Sequence, residues 1–369
     1  MSLPIVSMSK KFALPVFTAL LLIAALMPAS PAQADRHEYT FEEERTMVLE
    51  PGTLITVQNV SGNINVRSWD SDHVRVVSTK RIKARSRQEA HEWAEKVEII
   101  IEKNGQDLLI KAKRPKDWTE SLESLLEGIF RRKPSASVDF EISTPPDVHL
   151  EIATVSGDIS VREITGEVTI DVVSGDLEII DIGSDVTIDA VSGDMVLKKI
   201  AGNVDVDAVS GDTRLESIGG NVRIDVTSGD ATLERVDGDL YIDGTSGDVS
   251  ARDIFGDVNI DVTSGEIFVL QKSGELRIDT SSGDVTVETT LITSGHYTVE
   301  TSSGQITFRV PSDASSMVDM ETSGGTITVK MPMTIESMSR THLVGVLGNG
   351  EGEIVLSTSG GDIDLLPSD

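Results

Sequence analysis

Ser-Gly-Asp or Ser-Gly-Glu begins at Ser156, Ser174, Ser192, Ser210, Ser228, Ser246, Ser264 and Ser282, each 18 residues after the last. A fixed period of this size means one supersecondary unit stacked on copies of itself, not a domain with a single closed core. The inside of the unit is legible column by column. Val168 is followed at 18-residue intervals by Val186, Val204, Val222, Leu240, Val258 and Leu276, and Ile170 by Ile188, Val206, Ile224, Ile242, Ile260 and Ile278. Alternation at a period of two marks a strand with one buried face. A second strand carries Ile159 and Val161 and their successors, and a third apolar column, Ile164 to Ile254, precedes a second glycine turn.

Strands this short, separated by glycine turns, are best satisfied by coiling the chain so that each pairs in parallel with its copy one rung away. Helix is excluded by the apolar spacing and by the β-branched residues and glycine. The expected fold is therefore all-β, a single-stranded parallel β-helix or solenoid with 18-residue rungs over residues 151–369. A thin Val, Ile and Leu interior agrees with an aromatic content of 4%.

Residues 1–34 read as a signal peptide: Lys10 and Lys11, an apolar run from Phe12 to Met27, then Ala32-Gln33-Ala34 before a cleavage point between Ala34 and Asp35. No other stretch is long and apolar enough to span a bilayer. Absence of cysteine removes disulfides, thiol chemistry and a lipidated cysteine together. The expected location is periplasmic, secreted or at the cell surface. Formal charge is -29, and loss of Lys10 and Lys11 with an acid-free leader makes it -31. So acidic a chain repels nucleic acid and anionic membrane. The partners left are cations, or an envelope component, protein or glycan, with self-association as a further class.

Residues 35–150 read as a β-rich N-terminal cover for the solenoid's open end, which would otherwise recruit other chains. Ser86-Arg87-Gln88-Glu89 fits a capping box opening a helix near 87–97. A second helix is expected near 119–132, where Leu122, Leu125, Leu126, Ile129 and Phe130 share one face and Arg131-Arg132-Lys133 precede Pro134. Those five apolar residues are candidates for binding a partner or a membrane surface, against the alternative that they fold over the solenoid's end.

The order of these features carries a family resemblance. An early Asn-Val-Ser-Gly-Asn strand, Trp69-Asp70, a short helix, Pro145-Pro146, serial Val-Ser-Gly-Asp units and Gly348-Asn349-Gly350-Glu351-Gly352 follow one another. The chain resembles the bacterial putative-adhesin family of unknown function. That resemblance implies a β-helix on the outer side of the cytoplasmic membrane and brings no catalytic residues with it.

Any chemistry lies in three acidic columns, which begin at Asp158, Asp171 and Glu167. Carboxylates one rung apart repel by roughly 1 kcal/mol in water and several times that at an effective dielectric near 20. Backbone amides at the turns can relieve this. Ca²⁺ or another hard cation held between rungs is a second reading, with Asp176, Asp194, Asp212, Asp230 and Asp248 as candidate metal ligands. A basic partner is a third. No resident cofactor is implied. The expected function is a non-enzymatic, adhesin-like structural or binding module, with a cation-binding surface protein as the alternative and a polysaccharide-active β-helix enzyme as the outsider, since the six histidines are scattered and no nucleophile elbow, His-Glu-x-x-His helix or phosphate loop occurs.

Overall fold

The computed structural model describes residues 36–113 and 134–368. The signal peptide expected at 1–34 and the helix expected near 119–132 lie outside the described residues.

Each repeat contributes one strand to each of two sheets. Val168–Ser174 lies in one sheet, the chain turns at Gly175-Asp176, and Leu177–Ile182 lies in the other. Every strand pairs in parallel and in register with its copies, Ile170 opposite Ile188 in the first sheet and Ile179 opposite Leu197 in the second. Val168, Ile170, Leu177 and Ile179 are buried, as their period of two requires. The Ile164 column breaks that period, since it stands three residues after Val161. The residue before it supplies the correction: Glu163, Asp181, Lys199, Ser217, Arg235 and Asp253 are left-handed, with φ between 55° and 64°. One left-handed residue rotates the next side chain inward, and Ile164, Ile182 and Ile200 are buried. The column ends where Gln271 pairs with Ile254 and the register shifts. Buried Gln271 satisfies its amide by donating to the carbonyls of Gly256 and Glu275 and accepting from the Thr289 hydroxyl.

The Ser-Gly turns explain why glycine recurs there. Gly175, Gly193, Gly211, Gly229 and Gly247 have φ between 130° and 147°, and a Cβ on any of them would overlap the carbonyl oxygen of the glycine one rung before. The stack continues through Gly304, Gly361 and Gly325, in that spatial order.

That order exposes an arrangement at the two ends that the repeats do not announce. Thr53–Gln58 and Ile64–Ser68 form a rung directly against Val148–Ser156 and Ile159–Ile164. Later in the chain, Asp107–Lys113 and Ser135–Thr144 stack outside it. At the other end, Gly352–Thr358 and Ile363–Pro367 sit directly against His296–Ser303 and Ile306–Val310, while the earlier Ser316–Thr322 and Ile327–Val329 lie outside them. Antiparallel strands finish the ladder: Glu98–Asn104 on one sheet and His73–Ala84, then His37–Val48, on the other. His342–Leu347 and Thr334–Met338 do so at the far end. The outermost strand His37–Val48 carries Glu42, Glu43 and Glu44, charges that discourage further pairing. The helix Arg87–Lys96 has Ser86 as its N-cap, accepting from the Glu89 amide, and buries Ala90 and Ala94.

Two glycines three residues apart should respond oppositely to the same change. At Gly244, within the strand Leu240–Ser246, an added Cβ meets nothing nearer than 3.4 Å. Gly244→Ala should therefore stabilise by about 0.5 kcal/mol. Gly247→Ala forces a Cβ into the Gly229 carbonyl at a φ of 137° and should cost more than about 2 kcal/mol. Thermal and chemical denaturation of the two variants beside the parent checks the pair.

Candidate functional site

The aspartates that follow the Ser-Gly turns form a ladder. Asp176 Oδ1 accepts the backbone N–H of Asp194 at 3.1 Å, Asp194 that of Asp212 at 3.0 Å, Asp212 that of Asp230 at 3.0 Å, and Asp230 that of Asp248 at 2.9 Å. The ladder starts at Asp139 and Asn63 and passes through Asp248 to the amide of Glu266. A second ladder at the opposite turns runs Asp185, Asn203, Asn221, Asp239 and Asp257 to the amide of Glu275, with distances of 2.7 to 2.9 Å. Each oxygen satisfies an amide that the turn leaves without a strand partner. Asn203 and Asn221 do the same work uncharged, so the ladder requires an acceptor and not a charge. Near the far end Asp362 accepts from the amide and hydroxyl of Thr326, and these donors hold its carboxyl below the ordinary aspartate range.

The five aspartates considered as metal ligands thus stand in one column, each with an oxygen committed to the next rung's backbone. Among the described residues no three His, Cys, Asp or Glu side chains form a group that could hold a metal ion. Leu122, Leu125, Leu126, Ile129 and Phe130 lie outside the described residues. Among the described residues, one histidine that meets an aspartate beside a serine is His342, whose Nε2 is 2.8 Å from Asp319. The Ser339 hydroxyl beside it accepts the His342 backbone N–H and donates to the His342 carbonyl, not to the imidazole.

The third acidic column is different. Asp171, Asp189, Asp207, Asp225, Asp243, Asp261 and Asp279 stand directly opposite one another across successive strands, on the outer face of the 16-stranded sheet. The face is unevenly neutralised: among the described residues Asp225 and Asp279 have ion pairs and Asp261 has none. Arg223 pairs with Asp225 and lies 4.3 Å over the Tyr241 ring, the Tyr241 hydroxyl reaches Asp243 at 3.4 Å, and Arg277 reaches Asp279 at 3.5 Å. Toward the other end, Asp171 and Asp189 have no ion-pair partner among the described residues, Asp207 is reached only by the charge of Arg223 one rung on, and Val155, Val173, Val191 and Val209 stand exposed beside them. Burial against the sheet, and after it the charge of neighbouring carboxylates, pushes Asp189 and Asp207 above the ordinary aspartate range. Sequence reasoning singled out the acidic column but not the exposed valines beside it. The signal was available: Val155 to Val209 gives way to Thr227, Thr245 and Thr263 on the rungs where Arg223 and Tyr241 appear.

A family model described as Toastrack DUF4097 matches residues 53–253 and 220–366. The chain belongs to the Toastrack DUF4097 family. The resemblance drawn from its motifs is thereby confirmed, together with the all-β solenoid. Solved structures similar to it include a putative cell adhesion protein from Clostridium sporogenes, at 12% identity, covering 89% of this chain and 100% of that one with a TM-score of 0.20. A putative adhesin from Bacteroides fragilis has 11% identity, coverage of 89% and 97%, and a TM-score of 0.26. A putative lipid binding protein from Parabacteroides distasonis has 13% identity, coverage of 88% and 96%, and a TM-score of 0.29. These likenesses carry no argument about what this Toastrack chain binds. No curated protein matches it.

The two kinds of aspartate separate under substitution. In the turn ladder, Asp212→Asn keeps the acceptor and should be tolerated, whereas Asp212→Ala leaves the Asp230 amide without one and should cost about 1 kcal/mol. Denaturation midpoints of the two variants test the difference. On the outer face, Asp189→Asn and Asp207→Asn should raise the midpoint at pH 7. A carboxyl whose folded pKa is raised destabilises the folded state above that pKa and has no such effect below its unfolded value of about 3.9. The gain should therefore fade as the pH drops through the folded pKa toward that value, and a gain constant with pH would refute the assignment.

Proposed function

We propose that this chain is a non-enzymatic, adhesin-like β-solenoid that acts outside the cytoplasm as a structural and binding module of the cell envelope. The observation that carries the reading is the outer face on which unpaired carboxylates and exposed valines occupy the same rungs. Folding alone gives no reason to keep either, since acids in register repel and exposed valines stay in contact with water. Catalysis would need a constellation that departs from the repeat, and the turn acids instead recur as backbone acceptors. The leader at 1–34 and the strongly acidic composition support export and a basic or neutral partner. No helix among the described residues is long and apolar enough to cross a membrane.

Two measurements test this. N-terminal sequencing of protein from the cell envelope should begin at Asp35, and an intact Met1 there would refute cleavage. The mature chain, immobilised, should capture an envelope component that raised salt releases, as expected for a contact dominated by an acidic face. Capture no greater than that of an unrelated acidic protein would refute the binding role.

A further inference from the structure

We infer that the strip formed by Val155, Val173, Val191 and Val209 with Asp171, Asp189 and Asp207 is a docking surface for a cationic amphipathic helix of a partner protein. This rests on the binding reading above and names its partner class. The valines are 45% to 51% exposed and follow one another at the strand end that enters each Ser-Gly turn. The half-buried Val60 extends the line by one rung, since the adjoining Ser61 bridges Ser156.

Pitch selects the occupant. Rungs repeat about every 4.8 Å, and a helix lying along the stack offers apolar side chains at i, i+3 and i+4, rises of roughly 4.5 to 6 Å. An extended strand laid the same way repeats one face about every 6.7 Å and falls out of step. Each carboxylate lies two residues from its valine, about 6.7 Å to one side, which is where the flank of such a helix would carry Lys or Arg.

Charge narrows the choice further. Asp171 and Asp189 have no ion-pair partner among the described residues, Asp207 feels only the Arg223 of the next rung, and the raised pKa of Asp189 and Asp207 would be relieved by a bound positive charge. A second copy of the chain, at a formal charge of -29, would set acid against acid. The chain's own apolar segment offers no net positive charge, because Glu120, Glu123 and Glu127 offset Arg131, Arg132 and Lys133 and are interleaved with Leu122, Leu125 and Leu126.

The probe is an amidated peptide of about 14 residues with leucines at i, i+3, i+4 and i+7 and lysines on one flank, titrated into the mature chain by fluorescence anisotropy. The triple variant Asp171→Asn, Asp189→Asn, Asp207→Asn and the double variant Val173→Ser, Val191→Ser should each weaken binding about tenfold. The charge-matched triple Asp225→Asn, Asp243→Asn, Asp261→Asn should change it less than about twofold. Circular dichroism confirms that all four proteins are folded. Equal losses for the two triples would reveal non-specific charge attraction and overturn the strip, as would full binding by the valine variant or none by the parent. Envelope capture retained by both strip variants would retire the strip while leaving the binding role intact.

Discussion

Everything in this molecule depends on a contact at the Ser-Gly turn, where the α-carbon of one glycine rests against the carbonyl oxygen of the glycine one rung before. The contact leaves no room for a side chain and fixes how closely rungs approach. Once it is fixed, strands meet at hydrogen-bonding distance, Val and Ile columns stack without gaps, and the aspartate that follows is brought to the next amide. A solenoid core is one side chain deep on each sheet, so no second layer can absorb a misplaced rung. The turn sets the spacing that the thin core then exploits.

That spacing also creates the molecule's main electrostatic difficulty, which is resolved in two ways and in one place left standing. At both turn columns the carboxylate or amide oxygen accepts a backbone donor. On the outer face beyond Asp207, Arg223, Tyr241 and Arg277 interleave with the acids. At Asp171 and Asp189 neither device is present, Arg223 reaches Asp207 only from the next rung, and the repulsion is left within the fold. A position where a regular structure tolerates an unfavourable term is where a requirement other than folding is best sought.

Much of this was legible in the amino-acid sequence because a repeat repeats its evidence. One Ile at position 170 says little, whereas six Ile and Val206 at the same phase fix the buried face, and the structure places all of them inside. The Ile164 column was visible, but its three-residue offset gave no hint that Glu163 and its copies would be left-handed, since Glu, Lys and Arg have no preference for that conformation. The exchanged rungs at both ends were not legible. Thr53–Gln58 and Asp107–Lys113 are both short strands with apolar residues on the inner face, a pattern that states what is buried without naming the neighbour. The coincidence of Val155 to Val209 with unpaired acids was missed because each column was read alone.

The exchange of rungs has a kinetic meaning. A solenoid whose chain order matches its spatial order can zip from any nucleus, each rung closing on the last. Here Gly352–Thr358 and Ile363–Pro367 must enter between His296–Ser303 and Ser316–Thr322, although the latter precedes them in the chain. The segment 316–347 therefore has no parallel partner to close on until residues 352–367 have arrived, whereas at the other end Asp107–Lys113 can pair with the earlier Thr53–Gln58, whose inner side waits for Val148–Ser156. The middle can form progressively while the C-terminal end closes in a single concerted step, so the slowest event in assembly belongs at that end and not in the long regular centre.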